Sequence, residues 1–308
     1  MDELPERVLA AVGGTDVVAR LASLSGSDFT SLMLAVARRR AAQETPAGLL
    51  RRYRSDRFVQ PAGTSWQLLR AAEDHMAAHL PPGTELVGLP PLVPLATHAV
   101  LGPMSQDKVV STMRATEVAA DPTNALALEA AARRKTSGSG DPVRLAAFQR
   151  VVRAPRPQPG YLPHFSLLGL VTAGRDDGGH RFELAAVTEH VRALAAGLAA
   201  AGLGTAQLAC TPLSPAGEAL AAALPAVLTG SPLDVTMDRL RQSGRGYYRE
   251  LCFKLNVRAG PDWAEIGDGG FTDWAARLTA SAKERLLISG VGIDRVVALA
   301  PGKPNLGR

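Results

Sequence analysis

Apolar positions in the first eighty residues recur at near-helical spacing: Val8, Val12, Val18 and Leu21, then Phe29, Leu32, Met33 and Val36. Ser25-Gly26-Ser27-Asp28 interrupts this pattern with a break and a helix N-cap. The spacing predicts a helical region over residues 1–81, closed by Pro81-Pro82-Gly83 and Pro90-Pro91, and a larger region over 82–308. Within the larger region a helix runs from Asn124 to Arg134, and Lys135–Pro142 reads as a loop. The period then shortens. Phe148–Arg153 and Phe165–Val171 read as an antiparallel strand pair joined by a stiff connection containing Pro155, Pro157, Pro159, Gly160 and Pro163. Val187, Val191, Leu194 and Leu198 mark one face of a helix over 184–203. Leu251, Phe253, Leu255 and Val257 alternate with Cys252, Lys254 and Asn256 as a half-buried strand does. Asp294–Leu299 opens as a final helix after Ser289–Gly292, and no internal repeat is visible. This order predicts an α+β fold with a largely antiparallel sheet flanked by helices.

The composition, 46% apolar and 20% charged over 308 residues, is that of an ordinary globular chain, and no apolar run reaches bilayer length. The start, Met1-Asp2-Glu3-Leu4-Pro5, lacks the basic opening of a signal peptide, so the expected location is cytoplasmic. Two cysteines, Cys210 and Cys252, support neither a disulfide framework nor a thiolate cluster. The net charge of +5 is carried largely by arginine, with a cluster at Arg38, Arg39, Arg40, Arg51, Arg52, Arg54 and Arg57. That cluster reads first as a solvated helical face and second as an attractor for a polyanion or acidic carrier protein. His75 and His79 share a helical face, but Met76 stands where a zinc-protease motif needs glutamate, so no metal ligand set is expected.

The two commonest nucleotide cradles, the dinucleotide fingerprint and the P-loop, are both missing. Candidate chemistry lies instead in a series of segments. Arg150-Val151-Val152-Arg153 ends a strand, and alternation puts its two arginines on opposite faces. Ile288-Ser289-Gly290-Val291-Gly292-Ile293-Asp294-Arg295 combines close glycines with an arginine at a helix start. Ser243-Gly244-Arg245-Gly246-Tyr247-Tyr248 leads into the alternating strand, and adjacent tyrosines in a strand face opposite ways. Asp121-Pro122-Thr123-Asn124 is placed either to bind a ligand or to cap the following helix. Gly269-Gly270-Phe271-Thr272-Asp273 supplies a glycine pair beside a strand.

Taken in order, these segments resemble the catalytic core of class II aminoacyl-tRNA synthetases, specifically the histidyl-tRNA synthetase and ATP phosphoribosyltransferase regulatory-subunit type. The resemblance implies ATP and Mg2+ as cofactors. Arg153 would hold the α-phosphate and substrate carboxylate, and Arg295 the γ-phosphate; both would be catalytic. Phe165, Gly290, Gly292 and Asp294 would help bind nucleotide, with Asp294 replacing the usual glutamate. Asp121, Thr123, Leu167, Val171, Arg245, Tyr247, Tyr248, Gly269 and Gly270 would surround the acid substrate.

The departures shape the expectation. The second motif's glutamate falls at Pro155, and the family's catalytic arginine falls at Ser243, with Arg245 nearby. The positions that bind imidazole fall at Leu167 and Val171, which offer no hydrogen bond, so the expected substrate is an acid other than histidine. The sequence ends soon after Arg295, setting the expectation that an anticodon-binding domain is missing. The resemblance thus implies activation of a small carboxylic or amino acid as an acyl-adenylate, for a tRNA, a carrier protein or an amine. Its alternative is an inactive paralogue that binds a metabolite and regulates a partner enzyme. A third reading is an RNA-binding module using the arginine face. Pairing as a homodimer through Pro90–Pro94 is expected, and membrane association is not.

Overall fold

The computed structural model describes residues 4–102, 104–137, 140–153 and 162–301. The position matching the second motif's glutamate, Pro155, lies outside the described residues, as do Pro157, Pro159 and Gly160 of the same connection.

The chain begins with five helices: α1 (Glu6–Val12), α2 (Asp16–Ser23), α3 (Gly26–Ala41), α4 (Pro46–Ser55) and α5 (Trp66–Ala77). Local chemistry starts two of them. The Ser25 hydroxyl accepts from the Asp28 amide at 3.1 Å to open α3, and the Thr45 hydroxyl accepts from Gly48 at 3.1 Å to open α4, where Pro46 occupies the first turn. Helices α1 to α4 bury none of their side chains, whereas α5 buries Leu69, Ala72 and Met76.

Next come β1 (Glu85–Leu86), β2 (Leu92–Pro94), α6 (Thr97–Val100), β3 (Thr116–Val118), α7 (Pro122–Ser137), β4 (Val143–Val152) and β5 (His164–Arg175). Then follow α8 (Arg181–Ala200), β6 (Ala206–Pro212), α9 (Pro215–Val227), β7 (Leu233–Met237) and β8 (Tyr248–Ala259). The chain closes with β9 (Asp262–Thr272), α10 (Trp274–Thr279), β10 (Glu284–Gly292) and α11 (Ile293–Leu299).

Eight strands form one sheet in the order β1-β4-β5-β10-β9-β8-β6-β7, and β2 pairs with β3 separately. The outermost pairs, β1 with β4 and β6 with β7, are parallel; every other pair is antiparallel. The architecture is therefore α+β on a largely antiparallel sheet, as the order of periodicities predicts.

Strand alternation divides the core into two layers. On one face Leu168, Leu170, Leu287 and Val291 pack with α5, α8 and α9. On the other, Leu145, Ala147, Val171, Ala173, Leu286 and Ile288 pack with Leu126, Ala127 and Ala130 of α7 and with Trp274 and Ala275 of α10. Val187, Val191, Leu194 and Leu198 are all buried, so the apolar stripe read for α8 is its core face. Among the described residues no helix is long and apolar enough to cross a membrane.

Candidate functional site

Between the sheet and the start of α7 lies a cavity of about 740 Å³, within the 300–1,000 Å³ range of small-molecule sites. Its floor is the middle of β5, β10 and β9, and its walls come from α6, α7, α10 and α11. The floor exists because β9 is glycine-rich where it crosses. A Cβ on Gly267 would stand 2.2 Å from the Gly290 carbonyl oxygen, and one on Gly269 2.5 Å from the Phe253 ring. A Cβ on Gly270 would meet the Tyr248 ring at 2.6 Å. Gly269 and Gly270, expected beside the substrate, therefore let neighbouring groups close in, and it is Gly267 and Asp268 that line the cavity.

At one end, Arg153 emerges from β4 into the cavity while Arg150 turns away to His164 Nδ1, at 2.9 Å. Alternation predicted that split. Arg153 donates through Nε to the Ala120 carbonyl at 2.8 Å and through Nη2 to Asp121 Oδ2 at 3.2 Å. Its guanidinium carbon lies 5.2 Å from the centroid of the Phe165 ring, within cation–π reach. These contacts hold the planar fork in one orientation with N–H groups left over for an anion. Arg295, at the start of α11, reaches the same cavity and donates through Nη1 to the Glu265 carbonyl at 2.8 Å.

Asp294 lines the same end, yet both of its oxygens are already engaged. Oδ1 accepts from the Thr64 hydroxyl at 2.7 Å and Oδ2 from the Ser166 amide at 2.6 Å. It ties the segment before α5 and the start of β5 to α11. Gly290 and Gly292 line the cavity beside it.

Beside Arg153, Asp121 takes the capping role that the sequence left open and also lines the cavity. Its Oδ1 accepts from the Thr123 amide at 2.9 Å and from the Thr123 hydroxyl at 2.7 Å, which caps α7, while Oδ2 faces Arg153. Leu167 lines the cavity, but Val171 does not. The cavity stops one pleat earlier, at Gly169, where a Cβ would touch Pro122 at 2.8 Å and Leu126 at 3.3 Å; beyond that point α7 covers the strand.

Tyr247 and Tyr248 both line the cavity, contrary to the alternation argument. Tyr247 precedes β8 in a turn, so strand geometry does not apply to it. Their rings stand 4.2 Å apart, and Tyr247 stacks on Trp274 at 6.1 Å. Arg245, expected to stand in for a catalytic arginine, instead holds its own loop, donating to the carbonyls of Arg241 and Arg239. The buried arginine beneath the tyrosines is Arg241. It pairs with Asp268 Oδ2 at 3.0 Å, donates to the carbonyls of Ser243 and Phe253, and lies 5.6 Å from the centroid of the Tyr248 ring.

Asp268 also accepts from the Tyr248 hydroxyl at 3.3 Å. Desolvation raises the Asp268 carboxyl above its ordinary range, partly offset by Arg241. Desolvation likewise raises both tyrosine hydroxyls, so the pair stays neutral and donating at physiological pH.

Periodicity gave no hint of His98, Asn124 or Trp274. The Ala120 amide donates to His98 Nε2 at 3.0 Å, which assigns the proton to Nδ1, 2.7 Å from Asn124 Oδ1. The Asn124 amide is thereby oriented with its NH2 group available at the cavity wall. Isolated histidines and asparagines carry no period, and only the Asp-Pro-Thr-Asn string placed Asn124 near candidate chemistry.

No protein-family model matches the sequence, and no curated protein matches it. Solved structures do match the fold. An ATP phosphoribosyltransferase regulatory subunit/histidyl-tRNA synthetase from Bacillus halodurans C aligns with a TM-score of 0.64 at 17% identity, over 79% of this chain and 83% of that one. Apo histidyl-tRNA synthetase from S. aureus aligns at 0.59 and 12% identity, over 78% and 73%. Pyrrolysyl-tRNA synthetase from Desulfitobacterium hafniense aligns at 0.50 and 15% identity, over 74% and 68%. The eight-stranded sheet, with its cavity over the glycine-rich middle, is thus a class II synthetase-like core.

Proposed function

We propose that the chain activates a carboxylic or amino acid other than histidine, at the expense of ATP, as an acyl-adenylate for transfer to a tRNA, a carrier protein or an amine. The observation that carries this reading is the convergence of Arg153 and Arg295 on one cavity, each oriented by a backbone carbonyl and each with N–H donors left over. In the proposed step a substrate carboxylate oxygen attacks the α-phosphorus, the bond to the bridging oxygen breaks, and pyrophosphate leaves. Arg153 would neutralise charge that grows on the α-phosphate, and Arg295 would hold the departing end. Magnesium would supply further charge neutralisation, with Glu265 on the cavity wall as its protein carboxylate. Asp121 would hold a substrate amino group, and Leu167, Ile288 and Trp274 would favour an apolar or aromatic side chain. The same reading includes a homodimer formed through Pro90–Pro94, where Leu92 and Leu95 are exposed.

A second reading, a metabolite-binding regulator of a partner enzyme, is favoured by one observation. Ser243 stands at the family's catalytic arginine, and the nearby Arg241 commits its donors to Asp268 and to two carbonyls.

Calorimetric titration with ATP and magnesium tests the first reading. Arg153→Ala and Arg295→Ala are each expected to weaken binding at least tenfold, about 1.4 kcal/mol or more, and to abolish acid-dependent pyrophosphate release. Failure of the wild type to bind millimolar ATP would remove the adenylating reading and leave the regulator.

A further inference from the structure

On the sheet face opposite the cavity, three side chains converge that the proposed function does not use. His180 precedes α8, Glu183 sits in its first turn, and Glu250 belongs to β8. One ligating atom from each lies within 4.8 Å of the other two, the only such group of three among the described residues.

We propose that His180, Glu183 and Glu250 bind a divalent transition-metal ion, with zinc or manganese suited to the donor set. The acidic residues alone would not carry this. The second observation is that Glu183 Oε2 and Glu250 Oε2 are both buried and have no hydrogen-bond partner. The Glu183 side chain is only 2% exposed. Buried carboxylate oxygens are almost always satisfied, and two left open in one cluster call for a cation.

Neighbouring charge agrees. Arg285 is shared: Nε donates to Glu183 Oε1 at 3.0 Å and Nη2 to Asp176 Oδ2 at 2.6 Å, with Lys283 also acting on Asp176. Three carboxylates thus face one guanidinium.

A first-row dication holds nitrogen and oxygen donors at about 2.0–2.2 Å. A tetrahedral set then has its ligands about 3.4 Å apart, so all three side chains, at present within 4.8 Å of one another, would draw in on the ion. One imidazole and two carboxylates suit zinc or manganese rather than a soft-metal thiolate site. Three protein ligands with an exposed His180 leave a further position for water. Two of the three residues have left-handed backbone, His180 with φ of 57° and Glu250 with φ of 51°, the latter where β8 bulges between Arg249 and Cys252. Bound metal would tie the start of α8 to that bulge. In sequence His180 and Glu183 lie one helical turn apart, but Glu250 is distant and comes beside them only in the fold.

Equilibrium dialysis of the full chain against Zn2+, followed by metal analysis, tests the site. The wild type is expected to retain zinc that Glu250→Gln and His180→Asn both lose, and to show a raised thermal midpoint with zinc that neither variant shows. His180→Asn is the safer variant, because the residue is exposed and asparagine tolerates left-handed backbone. His75→Ala controls for the exposed helical histidine pair and should bind as the wild type does. A wild type that takes up no zinc overturns the proposal, as does zinc retained by both ligand variants or lost only in His75→Ala. ATP titration is a separate readout, so failure here is distinguishable from failure of the nucleotide site.

Discussion

His190 sits in the core between α8 and the sheet, with Nε2 2.9 Å from the Thr172 hydroxyl and Nδ1 2.8 Å from the Ser289 hydroxyl. Desolvation chiefly, with the nearby Arg144 guanidinium, depresses its pKa to about 3. The unfolded chain therefore takes up a proton near pH 6.5 that the folded chain refuses. This contribution to stability is complete above about pH 6.5 and is lost as pH falls toward 3, a change on the order of a few kcal/mol. Urea unfolding at pH 7.5, 5.5 and 4.5 should show the decline, and His190→Asn should flatten it after allowing for its own offset. At this scale the sequence was legible where a residue's direction follows from period alone. Arg153 reaches the cavity while Arg150 turns away, the split that alternation predicts, and Leu167, placed by the resemblance, lines the same cavity. Val171 shares their direction, but nothing local announces that α7 crosses the strand at Gly169. The tyrosines misled for a similar reason: the strand begins at Tyr248, and Tyr247 obeys a turn.

Elements were readable as types and less so as neighbours. The hairpin of β4 and β5 followed from two apolar runs with a proline-rich connection. The pairing of β10 with β5 joins segments more than a hundred residues apart, and local periodicity cannot encode such pairing. Helices α1 to α5 share one kind of pattern, yet only α5 enters the core, because a stripe shows which face is apolar and not what will cover it. The contact of α5 with α8 is close: a Cβ on Gly197 would lie 2.7 Å from Met76 Sδ. Met76→Ala should therefore destabilise the chain by about 2–4 kcal/mol, measured as a lowered urea midpoint with the denaturant slope unchanged.

For the molecule as a whole, the uneven burial of the helical region makes a clean expectation. Residues 4–55 contribute no buried side chain. A chain lacking residues 1–55 should keep its stability within about 1 kcal/mol of the full chain, read by thermal melting. It should also keep ATP binding, because Gln60 and Thr64, which contact His164 and Asp294, are retained. The same truncation removes most of the arginine cluster, so any salt-sensitive binding to nucleic acid through that face should disappear with it. The glycines of β9 bear on the history open to this fold. At Gly267, which lines the cavity floor, an added Cβ would stand 2.2 Å from the Gly290 carbonyl oxygen, so selection cannot fill the site at that point with a single methyl. Changes in what the cavity accepts fall more readily on the overhanging groups, Leu167, Tyr247, Trp274 and Asn124, where one replacement alters shape without reordering the sheet.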